Sequence, residues 1–290
     1  MQNKYIDEII EDFKSGNFDL AENKASLFLK KFPNNYFLHN ISGAIFSSKK
    51  KYDEAIKCFQ NAIKINPYIP EGYYNLGNSL LEMGRYEKSI KYFQKAIKIK
   101  PNYIKAHLNL GNVYVKLNDF QNAIAFYEKI IEIDDRNLDA YHKLAILYCD
   151  ICKIEESQKN FKKLLKLEPN NILNKINQAL LLLPIYKSKD EINLYRDMFI
   201  SGLSKLQKYK YITDKPGSEV ELNFYYLAYH NKNNLGILKK ISKLFRKMIP
   251  SINYVSKNTF NKKKLGKIKI GFISEFLTNH TVGKLFGGLI

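Results

Sequence analysis

"IPEGYYNLGNSLLEMGRYEKSIKYFQKAIKIKPN", Ile69 to Asn102, is a 34-residue stretch that reads as two helices and two stops. Glu71 to Met83 is amphipathic, and Gly84 ends it with a residue that tolerates positive φ. Tyr86 to Lys100 is a second amphipathic helix, halted by Pro101. Tyr73, Leu76, Leu80, Phe93 and Ala96 make the apolar face, and Gly77 and Ser89 are small enough to let the two helices approach closely.

The same unit recurs on both sides. Pro33, Pro67, Pro101 and Pro169 keep a 34-residue register, with Asp135 in the gap. Gly43, Gly77 and Gly111 keep it, followed by Ala145; Ala21, Ala55 and Ala123 keep it, with Ser89 between; Phe59, Phe93, Tyr127 and Phe161 form an aromatic row. Five units fit between Gln2 and Asn171. This layout resembles the tetratricopeptide repeat, which implies an all-α fold: helix hairpins stacked into a right-handed superhelix, each burying a face it cannot bury alone.

At 45% hydrophobic content the 290 residues can form a substantial core. The longest purely apolar run, Ala179 to Leu183, is too short to cross a bilayer, and the first residues carry acids where a secretory signal needs an apolar stretch. Three cysteines make no disulfide framework. The expectation is a cytoplasmic chain with no membrane partner. A net charge of +19 raises the question of nucleic acid, but only Arg85, Arg136, Arg196 and Arg246 are arginine, the residue that reads phosphates and bases bidentately. Nucleic acid is therefore not expected as a partner. The charge is also uneven: residues 1–169 carry 26 basic and 21 acidic side chains, residues 170–290 carry 21 and 7.

A solenoid of this kind has a concave surface lined by the first helix of each unit. "NLGN" occurs twice, placing Asn75 with Asn78 and Asn109 with Asn112 at equivalent positions. An Asn amide offers donors and an acceptor, so such a ladder can hold the main chain of an extended peptide; an Asn can equally sit on a helix face simply because water tolerates it. Cys149 and Cys152 form "CDIC" at a helix end, without a second cysteine pair to complete a metal site, and no metal is expected. His39 and His107 share a repeat position with Tyr73 and Tyr141, which makes them packing residues.

Residues 172–255 read as an irregular helical adaptor. "ILNKINQALLLL" is an apolar helix halted by Pro184, a second helix starts at a Ser188 cap with Glu191 three residues on, and "LGILKKISKLFRKMIP" is amphipathic up to Pro250. Residues 256–267 are a basic linker. "KIKIGFISEFLTNHTVGKLFGGLI", Lys267 to Ile290, then alternates like a strand, turns, and begins a helix. His280 lies in that turn, where backbone N–H groups favour anions, and it reads either as a site residue or as a local cap.

The repeats, the adaptor with "LLLLPIY" and "FYYLAYH", and the closing motif together resemble the bacterial protein O-GlcNAc transferases of the SPINDLY-like group. The resemblance implies that residues 268–290 open a two-lobed GT-B domain, that His280 lies near acceptor and phosphates as a catalytic candidate, and that Asn75, Asn78, Asn109 and Asn112 grip the acceptor polypeptide. It also implies UDP-GlcNAc as donor substrate and no bound cofactor in these residues. The donor-binding lobe is absent from them, so the expectation is an amino-terminal piece of such an enzyme, inactive alone. The alternative is a non-enzymatic adaptor that binds proteins or extended peptides.

Overall fold

The computed structural model describes residues 2–209, 226–227 and 230–248. Ten helices form five hairpins: α1 (Gln2–Lys14) with α2 (Phe18–Lys31), α3 (Tyr36–Ser48) with α4 (Tyr52–Ile65), α5 (Pro70–Glu82) with α6 (Tyr86–Ile99), α7 (Ile104–Lys116) with α8 (Phe120–Ile133), and α9 (Leu138–Asp150) with α10 (Ile154–Leu167). Each hairpin packs on the next, and first helices also touch across the stack, α1 on α3, α3 on α5 and α5 on α7. No strand occurs among the described residues. The linker 256–267 and the 268–290 motif lie outside them.

The residue rows act as their chemistry dictates. Phe59, Phe93, Tyr127 and Phe161 are fully buried, each beneath the small residue of its own hairpin. Ala21, Ala55, Ser89, Ala123 and Ser157 have no exposed surface at all, so the hairpin helices close over them. The buried serines keep partners: Ser89 Oγ donates to Tyr86 O at 2.7 Å and Ser157 Oγ to Ala145 O at 2.7 Å.

One row escapes simple inspection. Gly16, Lys50, Gly84, Asn118 and Cys152 end the first helix of each hairpin at positive φ, 79°, 59°, 71°, 58° and 59°. In every case the next residue's N–H bonds a carbonyl five residues back, as Lys51 to Phe46 and Lys153 to Tyr148, closing the helix end. A side chain costs energy in that conformation, and glycine does not. Lys50→Gly is therefore expected to stabilise the chain by about 1 kcal/mol, read as a raised denaturant midpoint at unchanged slope.

Beyond the fifth hairpin, α11 (Ile172–Ala179) retains two features of the repeat. Its N-cap Asn171 accepts from Leu173 N and Asn174 N, in register with caps Asn35 and Asn137. The helix stops at Ala179, five residues short of Pro184, which corrects the expected span. The next residues form an irregular segment: Leu180 and Leu182 join the core of Ile176 and Phe199, Leu181 packs against Tyr141 and Ala145 of α9, and the Cys149 thiol donates to Leu182 O at 3.4 Å and the Cys152 thiol to Ile185 O at 3.7 Å. Leu183 precedes proline and is biased away from helix. α12 (Lys189–Leu206) begins at the expected Ser188 cap, whose Oγ accepts from Glu191 N at 3.1 Å. Phe199, Leu203 and Leu206 of α12 meet Ile237, Ile241 and Leu244 of α13 (Leu235–Met248) in a core that also holds Ile176.

Arg196 of α12 is buried at this junction with neutral acceptors: Asn234 Oδ1 at 2.5 Å, Asn233 O at 3.2 Å and His230 Nδ1 at 3.3 Å. Burial, and then the charges of Arg196 and Lys232, hold His230 below its ordinary value of 6.5. Tyr186 packs edge-on against the His230 ring. Around and below pH 6.5 the unfolded chain takes up a proton that the folded junction refuses, so the stability this site contributes is whole above that pH and declines as pH falls. Amide protection factors in α12 and α13, taken relative to the intrinsic rate at each pH, should fall between about pH 7 and pH 5.5; protection independent of pH would contradict this.

Candidate functional site

A groove of about 830 Å³ crosses α5, α7 and α9, the first helices of three consecutive hairpins. Asn78, Asn109 and Asn112 line it, with Tyr127, Lys116 and Lys143. Asn75 does not. The four asparagines are all half-buried, and they divide into two pairs.

Asn75 and Asn109 tie repeats together. Asn75 Nδ2 donates to Asn40 Oδ1 at 3.1 Å, and Asn109 Nδ2 donates to Asn78 Oδ1 at 2.6 Å and to Tyr74 Oη at 3.3 Å. Asn177 Nδ2 meets His142 Nε2 at 3.4 Å with the same 35-residue separation as the Asn75 and Tyr74 contacts. The row at 34-residue spacing thus runs Asn75, Asn109, Lys143, Asn177, and continuing it one step beyond Asn109 would have found the groove lysine.

Asn78 and Asn112 have their carbonyls engaged from within. Asn78 Oδ1 accepts from Asn109, and Asn112 Oδ1 accepts from Tyr127 Oη at 2.8 Å. Burial pushes the Tyr127 phenol well above its ordinary range, so it stays a proton donor. With both carbonyls occupied, each side chain offers its NH₂ to the groove. The two residues stand one repeat apart on parallel helices, so their donors form a pair of fixed spacing. Lys116 and Lys143 contribute positive charge, and Glu82 and Asp150 balance it.

The remaining candidates resolve into structure. His39 Nε2 meets Pro33 O at 2.8 Å and His107 Nε2 meets Pro101 O at 2.8 Å, while Tyr141 Oη donates to Asp135 O at 3.2 Å; at one repeat position each ring holds the carbonyl six residues earlier. Cys149 is buried and its thiol is pushed up to about 12 by that burial, so it is a weak nucleophile at neutral pH. No group of three His, Cys, Asp or Glu among the described residues could hold a metal ion. No helix among them is long and apolar enough to cross a membrane. His280 lies outside the described residues.

Comparison with known proteins agrees with this architecture. Residues 43–84 and 77–118 match a family model described as TPR repeat, and residues 104–137 match the tetratricopeptide repeat model. No curated protein sequence matches the chain significantly. Among solved structures, MamA is 28% identical over 55% of this chain and 93% of its own, with a TM-score of 0.51. PilF from Pseudomonas aeruginosa is 17% identical, covering 80% and 97%, with a TM-score of 0.59. A tetratricopeptide repeat protein from Parabacteroides merdae is 19% identical, covering 89% and 94%, with a TM-score of 0.57. Residues 43–137 are tetratricopeptide repeats, and the five hairpins α1–α10 that contain them form a tetratricopeptide-repeat solenoid.

Proposed function

We propose that this chain is a protein–protein interaction adaptor whose groove across α5, α7 and α9 holds an extended polypeptide by its main chain. The observation that carries this reading is the pair Asn78 and Asn112: equivalent residues of consecutive repeats with their carbonyls held from behind and their NH₂ groups available for peptide carbonyls. Packed helices lie about 8–10 Å apart, so three of them span about 20 Å, the length of about six extended residues. Main-chain recognition tolerates many sequences, and the balanced charges of Lys116, Lys143, Glu82 and Asp150 add no net preference for an acidic or a basic peptide. Addition of a pool of random peptides should shift the side-chain NH₂ resonances of Asn78 and Asn112 and leave that of Asn160, on α10 outside the groove, in place. Shifts spread evenly over all three would argue against the groove.

The motif at Lys267 to Ile290 favours a finer reading, in which the captured peptide is the acceptor of a sugar transfer from UDP-GlcNAc and His280 assists that transfer. The test is transfer to a groove-bound Ser/Thr peptide by this chain, or by a longer one containing it, and its loss in His280→Ala. Capture without transfer in every such chain would leave the adaptor reading alone.

A further inference from the structure

A second cavity, of about 360 Å³, lies between α2 and α4 over α3, away from the asparagine groove. Equivalent clefts over α5 and α9 are also open, at about 360 and 720 Å³, but several lysines line those, whereas this one is walled mainly by apolar and small side chains. The same cleft recurs between consecutive hairpins, and one position on its floor is Leu76, Leu110 and Leu144 in the later units, each with at most 2% of its surface exposed. In the first cleft that position is Ser42. A second position, on the later hairpin's outer helix, is Tyr92, Phe126 and Asn160 in later units and Cys58 in the first. A third is aromatic in four units, Phe59, Phe93, Tyr127 and Phe161, and here it is Ala25. Ser42, Cys58 and Ala25 all line the cavity.

The third cleft shows what would fill such a space. There the Phe126 ring lies parallel to Tyr114, centroids 5.6 Å apart at 7°, over the buried Leu110. Phe46 stands at the Tyr114 position in the first cleft, with no chain residue supplying the ring opposite, since Cys58 occupies the Phe126 position. Leu29 and Ile45 complete apolar walls. The polar content is small. Ser42 is 5% exposed, and its hydroxyl has no hydrogen-bond partner among the described residues. The Glu22 carboxylate at the rim is already paired with Lys49. Burial pushes the Cys58 thiol up to about 11, so at neutral pH it is a neutral wall whose small thiolate fraction makes alkylation slow but measurable.

We propose that this cavity is a binding site for a compact, neutral, single-ring aromatic molecule carrying one hydrogen-bonding group. The ring takes the place that Phe126 fills in the third cleft and lies on Phe46; the polar group partners the Ser42 hydroxyl, a buried group that is costly to leave unmade. A charged group is disfavoured inside the cavity, because its inner walls are apolar, the Glu22 carboxylate is paired with Lys49, and Lys30, the other charged residue of the lining, is exposed at the rim.

Benzyl alcohol is the probe. A ligand this small binds in the range of about 1 mM. On the full chain it should slow alkylation of Cys58 by N-ethylmaleimide severalfold, read by peptide mass spectrometry, while Cys149 and Cys152 react at unchanged rates. Ser42→Leu supplies the side chain of the later clefts and should raise the Tm without ligand and remove the ligand-dependent protection. Cys58→Phe supplies the missing ring and covers the case in which the leucine variant fails to fold; its melting should no longer respond to benzyl alcohol, whereas that of the wild type rises. Unslowed alkylation of Cys58, equal slowing at all three cysteines, or an undiminished response in the variants that fold would overturn the proposal.

Discussion

Gly111→Ala is expected to destabilise the solenoid by about 2–3 kcal/mol, although alanine is the better helix former by about 1 kcal/mol. The opposing term is steric. A Cβ at position 111 would lie 2.3 Å from Tyr127 Cε1 and 2.7 Å from Cδ1. The ring cannot swing aside, because it is 1% exposed and its hydroxyl is tied to Asn112 at 2.8 Å. Helix α7 must therefore rise off α8, which opens the core shared by Tyr127, Ile130 and Leu144. Gly236 supplies the control: it lies in α13 with nothing within 4 Å of an added Cβ, so Gly236→Ala should be neutral or stabilising by up to about 1 kcal/mol. Thermal melts of the two variants against wild type separate the terms. A stabilised Gly111→Ala would mean that the hairpins are looser than the contact distances require.

The hairpins were legible in the sequence because their packing depends on residue size, which is printed directly: glycine under an aromatic ring, alanine or serine where helices touch. The positive-φ row was not, because Gly, Lys, Gly, Asn and Cys share a backbone conformation and no side-chain property. The register of α11 was hidden for a similar reason. Its size rows fade after Pro169, while the cap at Asn171 and the Asn177 contact persist, and both depend on polar geometry. The early end of α11 follows from a tertiary contact, the Leu180–Tyr186 segment lying against two α9-end thiols, that local propensity does not contain.

The asparagines show the same limit. Sequence equivalence placed Asn75, Asn78, Asn109 and Asn112 in one ladder, and only three of them line the groove. Asn75 and Asn109 donate to the preceding repeat, so replacing them should cost stability of about 1 kcal/mol each, and any loss of binding in those variants would carry that cost mixed in. Asn78 and Asn112 line the groove, and replacing them also removes an internal acceptor each, of Asn109 Nδ2 and of the buried Tyr127 hydroxyl, at a cost of about 1 kcal/mol or more apiece, so binding in those variants is read at temperatures where the chain stays folded.

The double substitution Asn78→Ala and Asn112→Ala shows directly whether the groove holds an extended polypeptide by its main chain. Removing two neutral hydrogen bonds of about 1 kcal/mol each should weaken binding by about 30-fold. The measurement is fluorescence anisotropy with a labelled peptide selected from a random library against the wild-type chain, with Tm recorded on the same samples. At a temperature well below the lowered Tm of the variant, the Kd should rise by about that factor, and by the same factor for a second selected peptide of unrelated sequence. An unchanged Kd for both peptides would contradict it.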